Sequence, residues 1–264
     1  MKEFQNKNQW ALILGGSSGL GLATAKKLAK HGLNICIVHR NPRMQEAEIQ
    51  AAFDTIKQEN ILFKSFNTDA FKPEKRDAVI DALKSELGTQ GSIKTLVHSV
   101  AKGNLKPMIS EDAQVLKHDD FALTINAMGI SLYDWTKALF EAKLFVDDAR
   151  IISFTSEGNT KAWQNYAAVS AAKVTLEAIT RNIALEFAPY GLKANCIQAG
   201  VTDTTSLRMI PGSDNIIKHS LIRNPNKRLT LPEDVANAVY LLSKDEASWI
   251  TGTIIPVDGG EHLS

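Results

Sequence analysis

Short, almost purely apolar runs alternating with charged amphipathic stretches restrict the fold of this 264-residue chain more than any other feature. The runs are WALILGG (Trp10–Gly16), LNICIVHR (Leu33–Arg40), ILFKSF (Ile61–Phe66), IKTLVHSVA (Ile93–Ala101), ARIISFTS (Ala149–Ser156), LKANCIQAG (Leu192–Gly200) and GTIIPVDGG (Gly252–Gly260). Near-continuous apolarity marks strands covered on both faces. Segments such as EAEIQAAFDTIKQEN and PEKRDAVIDALKSELG read as helices between them. Strand followed by helix, repeated, predicts an α/β fold: a doubly wound parallel sheet of about seven strands with helices on both faces. No repeat and no Pro- or Ser-rich linker divides the chain, so a single domain over residues 1–264 is expected. The late stretch without a strand signal, Thr204–Asn226, is expected to cover the mouth of a site.

Composition removes several classes. Hydrophobic residues make up 44% and charged residues 22%, and the net charge is +1, which gives no electrostatic reason for nucleic-acid or bulk membrane binding. Cys36 and Cys196 each lie in a strand-like run, so reduced core thiols are expected and neither a disulfide nor a metal site. The opening MKEFQNKNQW carries no apolar signal core, and no apolar run is long enough for a bilayer, so a cytoplasmic location is expected.

The first apolar run leads directly into LGGSSGLGLATAKKLAKHG. Gly15, Gly19 and Gly21 fall where a strand must turn sharply into a helix, and glycine lets a ligand approach the backbone closely. The start of the helix, including Leu20, offers unpaired N–H groups and a positive dipole end to a pyrophosphate. In this strand–turn–helix context the glycines predict a Rossmann-like dinucleotide site. NAD sites usually end the second strand with a carboxylate for the ribose 2′-OH. Here the strand ends in His39 and Arg40, and an arginine pairs with a 2′-phosphate. NADPH is the expected cofactor, with Ser17 and Ser18 as added hydroxyl donors; the competing account makes Arg40 a plain surface arginine. Asp69, followed by Ala70, lies after the third strand and suits either an adenine contact or a helix cap or turn.

NYAAVSAAK (Asn165–Lys173) carries a Tyr and a Lys seven positions apart. On a helix, seven steps end about 20° short of the starting direction and four steps about 40° past it, so both spacings share one face. Seven steps separate the pair by roughly 10 Å along the axis, against about 6 Å for four. Tyr166 would therefore meet a different part of a ligand than Lys173, or share a bridging hydroxyl with it. Alone, the pair reads as an interfacial Tyr and a solvated Lys; beside a nucleotide site it reads as chemistry.

The order of the glycine turn, TINAMG around Asn126, NYAAVSAAK, CIQAGVTDT and ITGTIIPVDGG resembles the short-chain dehydrogenase/reductase family over nearly the whole chain. The usual member has its Tyr four residues before the Lys, where this chain has Val169. The enoyl-acyl carrier protein reductases place it seven before, as Tyr166 is here. Two further departures resemble that subgroup: VHSVA (Val97–Ala101) in place of Asn-Asn-Ala-Gly, and Ala199-Gly200 in place of Pro-Gly. The compact glycine turn, and Ser156 where the common enoyl reductases have a second Tyr, resemble the NADPH-dependent type known as FabL.

The resemblance implies an NADPH-dependent enoyl-[acyl-carrier-protein] reductase of fatty-acid synthesis, a Rossmann-type catalytic domain. It implies hydride addition at the β-carbon of a trans-2-enoyl thioester. Tyr166 would hold the enolate oxygen, and a proton would reach the α-carbon through Tyr166 or a water relay. Lys173 would bind the nicotinamide ribose. Ser156 either assists or merely closes a strand; Asn126 either anchors a helix kink or a water chain or is a buried amide. The cofactor would lie against Gly15, Ser17, Ser18, Gly19, Leu20, Gly21, His39, Arg40, Asp69, Ala70, Ser99, Val100, Ala101, Lys173, Gly200, Thr202 and Thr204. Implied partners are acyl carrier protein or CoA thioesters. The long helices near Glu111–Ala142 and Ala162–Ala188 imply a homotetramer. Between Ser206 and Arg228 lie five basic residues (Arg208, Lys218, Arg223, Lys227, Arg228) against Asp214, a formal +4 expected to steer an acidic carrier. Two rivals stand: a carbonyl or 3-oxoacyl reductase with another acid, and a non-catalytic NADPH-binding sensor.

Overall fold

The computed structural model describes residues 2–264. Its strands are β1 (Gln9–Leu14), β2 (Asn34–His39), β3 (Phe63–Asn67), β4 (Ser92–His98), β5 (Phe145–Ser156), β6 (Leu192–Ala199) and β7 (Ile254–Val257). They form one seven-stranded sheet in the order β3-β2-β1-β4-β5-β6-β7, and every pairing is parallel. The α-helices are α1 (Gly19–Lys30), α2 (Glu46–Lys57), α3 (Pro73–Leu87), α4 (His118–Ile125), α5 (Ser131–Glu141), α6 (Ala167–Glu186), α7 (Thr205–Arg208), α8 (Ser213–Arg223) and α9 (Pro232–Ser243). Among the described residues, no helix is long and apolar enough to cross a membrane.

Strand pleating explains the continuous apolarity, because alternate side chains enter opposite cores. Trp10, Leu12 and Leu14 of β1 enter the core shared with Leu83 of α3, Trp135 of α5 and Leu176 of α6. Ala11 and Ile13 enter the core shared with Leu28 of α1, Phe53 of α2 and Val239 of α9. Fully burying one such large apolar side chain contributes about 1.5–3 kcal/mol, so a polar residue at any of these positions would forfeit about that much. The chain winds from β1 outward to β3 and then returns to β4 on the other side of β1. That reversal opens a crevice at the carboxyl ends of β1 and β4, the usual ligand position in such sheets.

Three elements differ from their sequence outlines. β5 begins at Phe145 and not at Ala149, because Asp147 and Asp148 interrupt the apolar pattern inside a real strand. Asp148 is tolerated there because Lys94, Arg150 and Lys193 all donate to it. The helix expected from Glu111 begins only at His118: Ser110 Oγ accepts from the Ala113 N–H at 3.0 Å in a turn, and the Asp120 carboxylate accepts from the Lys117 N–H at 2.9 Å at the helix start. A π-helical turn, Asn126–Ile130, then separates α4 from α5. The helix expected from Ala162 begins at Ala167, because Asn165 is left-handed (φ 62°).

Candidate active site

A cavity of about 380 Å³ lies at the carboxyl ends of β1, β4, β5 and β6, with the segment Thr204–Ile210 along one side. Its dinucleotide half is built from the glycine turn. Gly15 is left-handed (φ 84°), and a Cβ there would sit 2.2 Å from the Ser99 carbonyl oxygen. A Cβ on Gly21 would sit 2.3 Å from the Gly15 carbonyl oxygen, so neither position admits a side chain. Ser18 precedes α1 in extended conformation, its side chain caps nothing, and no acid occupies the first turn. The positive end of α1 is therefore left uncompensated beside the cavity, as an anionic ligand requires.

The other half centres on Tyr166 and Lys173. Tyr166 is the residue before the first turn of α6, and the left-handed Asn165 turns its ring inward. Its hydroxyl lies 3.2 Å from Ser156 Oγ at the end of β5. Burial raises the Tyr166 hydroxyl above its ordinary pKa, against a lowering by Ser156, so it is protonated at neutral pH and can donate. Lys173 is only 8% exposed. Its Nζ donates to the Phe154 carbonyl at 2.6 Å, which leaves two donors for a ligand. Burial lowers the Lys173 ammonium to about 8, while Cys196 and Glu177 oppose the shift. The position four before Lys173 holds Val169, which lines the cavity and packs so closely on Gly103 that a Cβ there would come within 2.5 Å of Val169 Cγ2. Tyr166 is the only tyrosine lining the cavity among the described residues.

The cavity wall also includes Gly19, Ser17, Leu20, His39, Arg40, Ser99, Val100, Ala101, Gly200, Thr202 and Thr204 from the sequence-based set. Gly21, Asp69, Ala70 and Asn126 do not line it. Gly21 backs the turn. Asp69 accepts from Arg40 Nη1 at 2.6 Å and from the Phe71 N–H at 3.1 Å. The Ala70 carbonyl accepts from Trp135 Nε1 at 2.9 Å. Asn126 opens the π-helical turn, the helix-kink place among its alternatives. His98, from the VHSVA motif, is a buried strut: its Nε2 lies 2.7 Å from Ser131 Oγ, and burial with the Lys173 charge lowers its pKa to about 3.

Sequence reading missed the apolar wall of Met128, Val169, Leu207 and Ile210, which packs with Tyr166. It also misjudged the charge of Ser206–Arg228. Arg208 is paired with Asp203 and Asp214, Arg228 with Asp234, and Arg223 with Glu157. Three of these carboxylates lie outside the window in which charge was counted. Arg223 is half-buried in its pair with Glu157, so the charge presented along this segment is less than the +4 counted from sequence.

A glycine turn at a helix start, facing a buried Tyr and Lys across one cavity, defines a nicotinamide-dinucleotide oxidoreductase. A family model described as Enoyl-(Acyl carrier protein) reductase matches residues 15–262, and the chain belongs to that family. The enoyl-[acyl-carrier-protein] reductase [NADH] FabI of Enterococcus faecalis is 30% identical over 261 residues, 98% of this chain and 99% of that protein. The 7alpha-hydroxysteroid dehydrogenase of Paraclostridium sordellii is 29% identical over 259 residues, 97% of this chain and 93% of its own. The crystal structure of the Bacillus cereus enoyl-acyl carrier protein reductase with NADP+ and indole naphthyridinone matches the fold with a TM-score of 0.86 at 24% identity, covering 100% of this chain and 99% of that one.

Proposed function

We propose that this chain is an NADPH-dependent enoyl-[acyl-carrier-protein] reductase that converts trans-2-enoyl thioesters to acyl thioesters. The observation that carries the reading is the placement of the cavity's tyrosine: a buried, protonated hydroxyl at position 166, an inert Val169 at the position that serves carbonyl reduction, and an apolar wall beside the hydroxyl. The glycine cradle and the uncompensated start of α1 fit the dinucleotide's phosphates. Bound nicotinamide would supply the hydride that the enoyl β-carbon accepts, and the α-carbon then takes a proton through Tyr166 or a water relay. Tyr166 donates a hydrogen bond to the thioester oxygen, where negative charge develops in the transition state. The two free Nζ donors of Lys173 hold ribose hydroxyls, and its charge keeps the local potential positive. Ser156 steadies the Tyr166 hydroxyl, and a Ser there favours the FabL-like subtype. Acyl carrier protein or CoA presents the thioester. Apolar side chains exposed along α4 to α6, such as Leu123, Tyr133, Val174 and Leu185, favour a homotetramer.

The test is NADPH oxidation with crotonyl-CoA against acetoacetyl-CoA. Turnover of the enoyl substrate alone is the expected result. Preference for the ketone would point to a carbonyl reductase, and binding without turnover to a sensor.

The NADPH preference rests on Arg40, whose side chain is 62% exposed and whose partner Asp69 holds it across the strand ends. The guanidinium's other nitrogens remain open to solvent, where a 2′-phosphate can bind them. Arg40→Asp is expected to raise the Michaelis constant for NADPH about tenfold and to favour NADH. Asp69→Asn should do the reverse by freeing Arg40. An unchanged NADPH/NADH ratio in both variants assigns discrimination to Ser17, Ser18 or backbone groups.

Lys173 gives the site a pH dependence. The buried ammonium is charged below about 8 and neutral above it. The charge-assisted ribose contact is therefore complete at lower pH and weakens as pH rises through that value. NADPH affinity, read by fluorescence titration from pH 6 to 9.5, is expected to fall across that point. A flat profile removes the ammonium from the cofactor contact.

A further inference from the structure

We propose that Glu177 is a positioning residue for the Tyr166–Lys173 pair, holding both the charge of Lys173 and the turn that backs the Tyr166 ring. This rests on the reading of that pair as the working site. Glu177 lies in α6 one turn beyond Lys173 and is 7% exposed. It accepts hydrogen bonds from Thr155 Oγ1 and Asn159 Nδ2. An amide nitrogen only donates, so the contact identifies an acceptor oxygen on Glu177.

Asn159 closes the single 3₁₀ turn Glu157–Asn159 that follows β5. Its Oδ1 is buried without a partner, so its bond to Glu177 is what orients the amide. The middle residue of that turn, Gly158, lies against the Tyr166 ring: a Cβ there would be 2.4 Å from Cε1. Position is thus handed from the Glu177 carboxylate to Asn159, then to Gly158, then to the ring. The turn is gripped from the other side by Arg223 of α8, which donates to Glu157 at 2.7 Å.

The same carboxylate lies one helical turn from Lys173, and its charge opposes the loss of the ammonium proton. The other titratable groups around that ammonium are Cys196 on β6, His98 on β4 and Tyr166 ahead of α6. Burial keeps the Cys196 thiol and the Tyr166 hydroxyl protonated, and His98 neutral. Glu177 is then the group that supplies negative charge near this buried cation. A buried charge without such a neighbour gives up its proton more readily.

Two variants separate the two effects. Glu177→Gln removes the charge and keeps an acceptor for the turn; Asn159→Ala cuts the tie and keeps the charge. For Glu177→Gln, the pH at which NADPH affinity falls should move down by about one unit, and the alkaline limb of kcat/KM should move with it. Glu177→Asp should restore the wild-type limb. For Asn159→Ala, the limb should stay in place while kcat falls about tenfold from a displaced Tyr166. A Glu177→Gln limb at the wild-type pH, with only a lower Tm, makes Glu177 a structural residue and overturns the proposal. So does failure of both Glu177 variants to fold. The affinity arm uses NADPH alone, so it reads Glu177 even if the wild-type protein reduces no enoyl thioester; that separate result would sink only the enoyl-reductase reading.

Discussion

Tyr166→Phe is expected to lower kcat for enoyl-CoA reduction by about 100-fold or more, the usual scale for losing one donor to a developing oxyanion. NADPH affinity should change less than about twofold, because Lys173 and the glycine turn hold the cofactor and the phenol does not. The ring itself belongs to the apolar cluster with Met128, Val169 and Leu207, and phenylalanine keeps those contacts. What is lost is one protonated hydroxyl, 3.2 Å from Ser156 Oγ. Because the interaction is made in the transition state and not in the ground state, kcat and kcat/KM should fall by the same factor. Crotonyl-CoA kinetics at saturating NADPH give both numbers. A higher KM with normal kcat would make Tyr166 a binding residue, and near-normal values of both would remove it from the chemistry.

Much of this architecture was legible because it is written in local pattern. Strands buried on both faces show as continuous apolar runs, and the glycines at 15 and 21 stand where a side chain would meet backbone oxygen. The Tyr–Lys spacing is likewise a local signal, although Tyr166 sits just ahead of α6 and not within it, because Asn165 is left-handed. The unread parts are those assembled from distant segments. Asp148 looks like a strand breaker until Lys94 and Lys193 arrive from neighbouring strands. The basic excess between Ser206 and Arg228 looks like a docking patch until Glu157, far back in the sequence, is placed against Arg223. The apolar wall comes from the π-helical turn, α6 and α7 together, and no window of sequence contains it. Charge counting and periodicity report what one segment can do; pairing across 50 or more residues is decided by the fold, as for Arg223 and Glu157 at a separation of 66.

Gly158→Ala tests whether Tyr166 must be held in place as well as present. The hydroxyl survives in this variant, yet the new Cβ would lie 2.4 Å from Cε1 and 2.9 Å from Cδ1 of the ring. Carbon atoms pack best at about 3.5–4.0 Å, so the ring must retreat by roughly 1 Å. Its retreat is restricted by Trp163, whose ring centroid lies 5.2 Å away. A displacement of that size costs about 100-fold in rate when it moves a group out of its reacting geometry. NADPH affinity and its pH dependence should stay at wild-type values, since Lys173 and Glu177 are untouched. The decisive measurement is the double variant. If Gly158→Ala acts by displacing the hydroxyl, it has little left to harm once Tyr166→Phe has removed that hydroxyl, and the two losses will not multiply. A further loss of about 100-fold on the Tyr166→Phe background would show that Gly158 serves another part of the site, the substrate wall or the Glu157–Arg223 contact, and that the close approach to the ring is not what limits the rate.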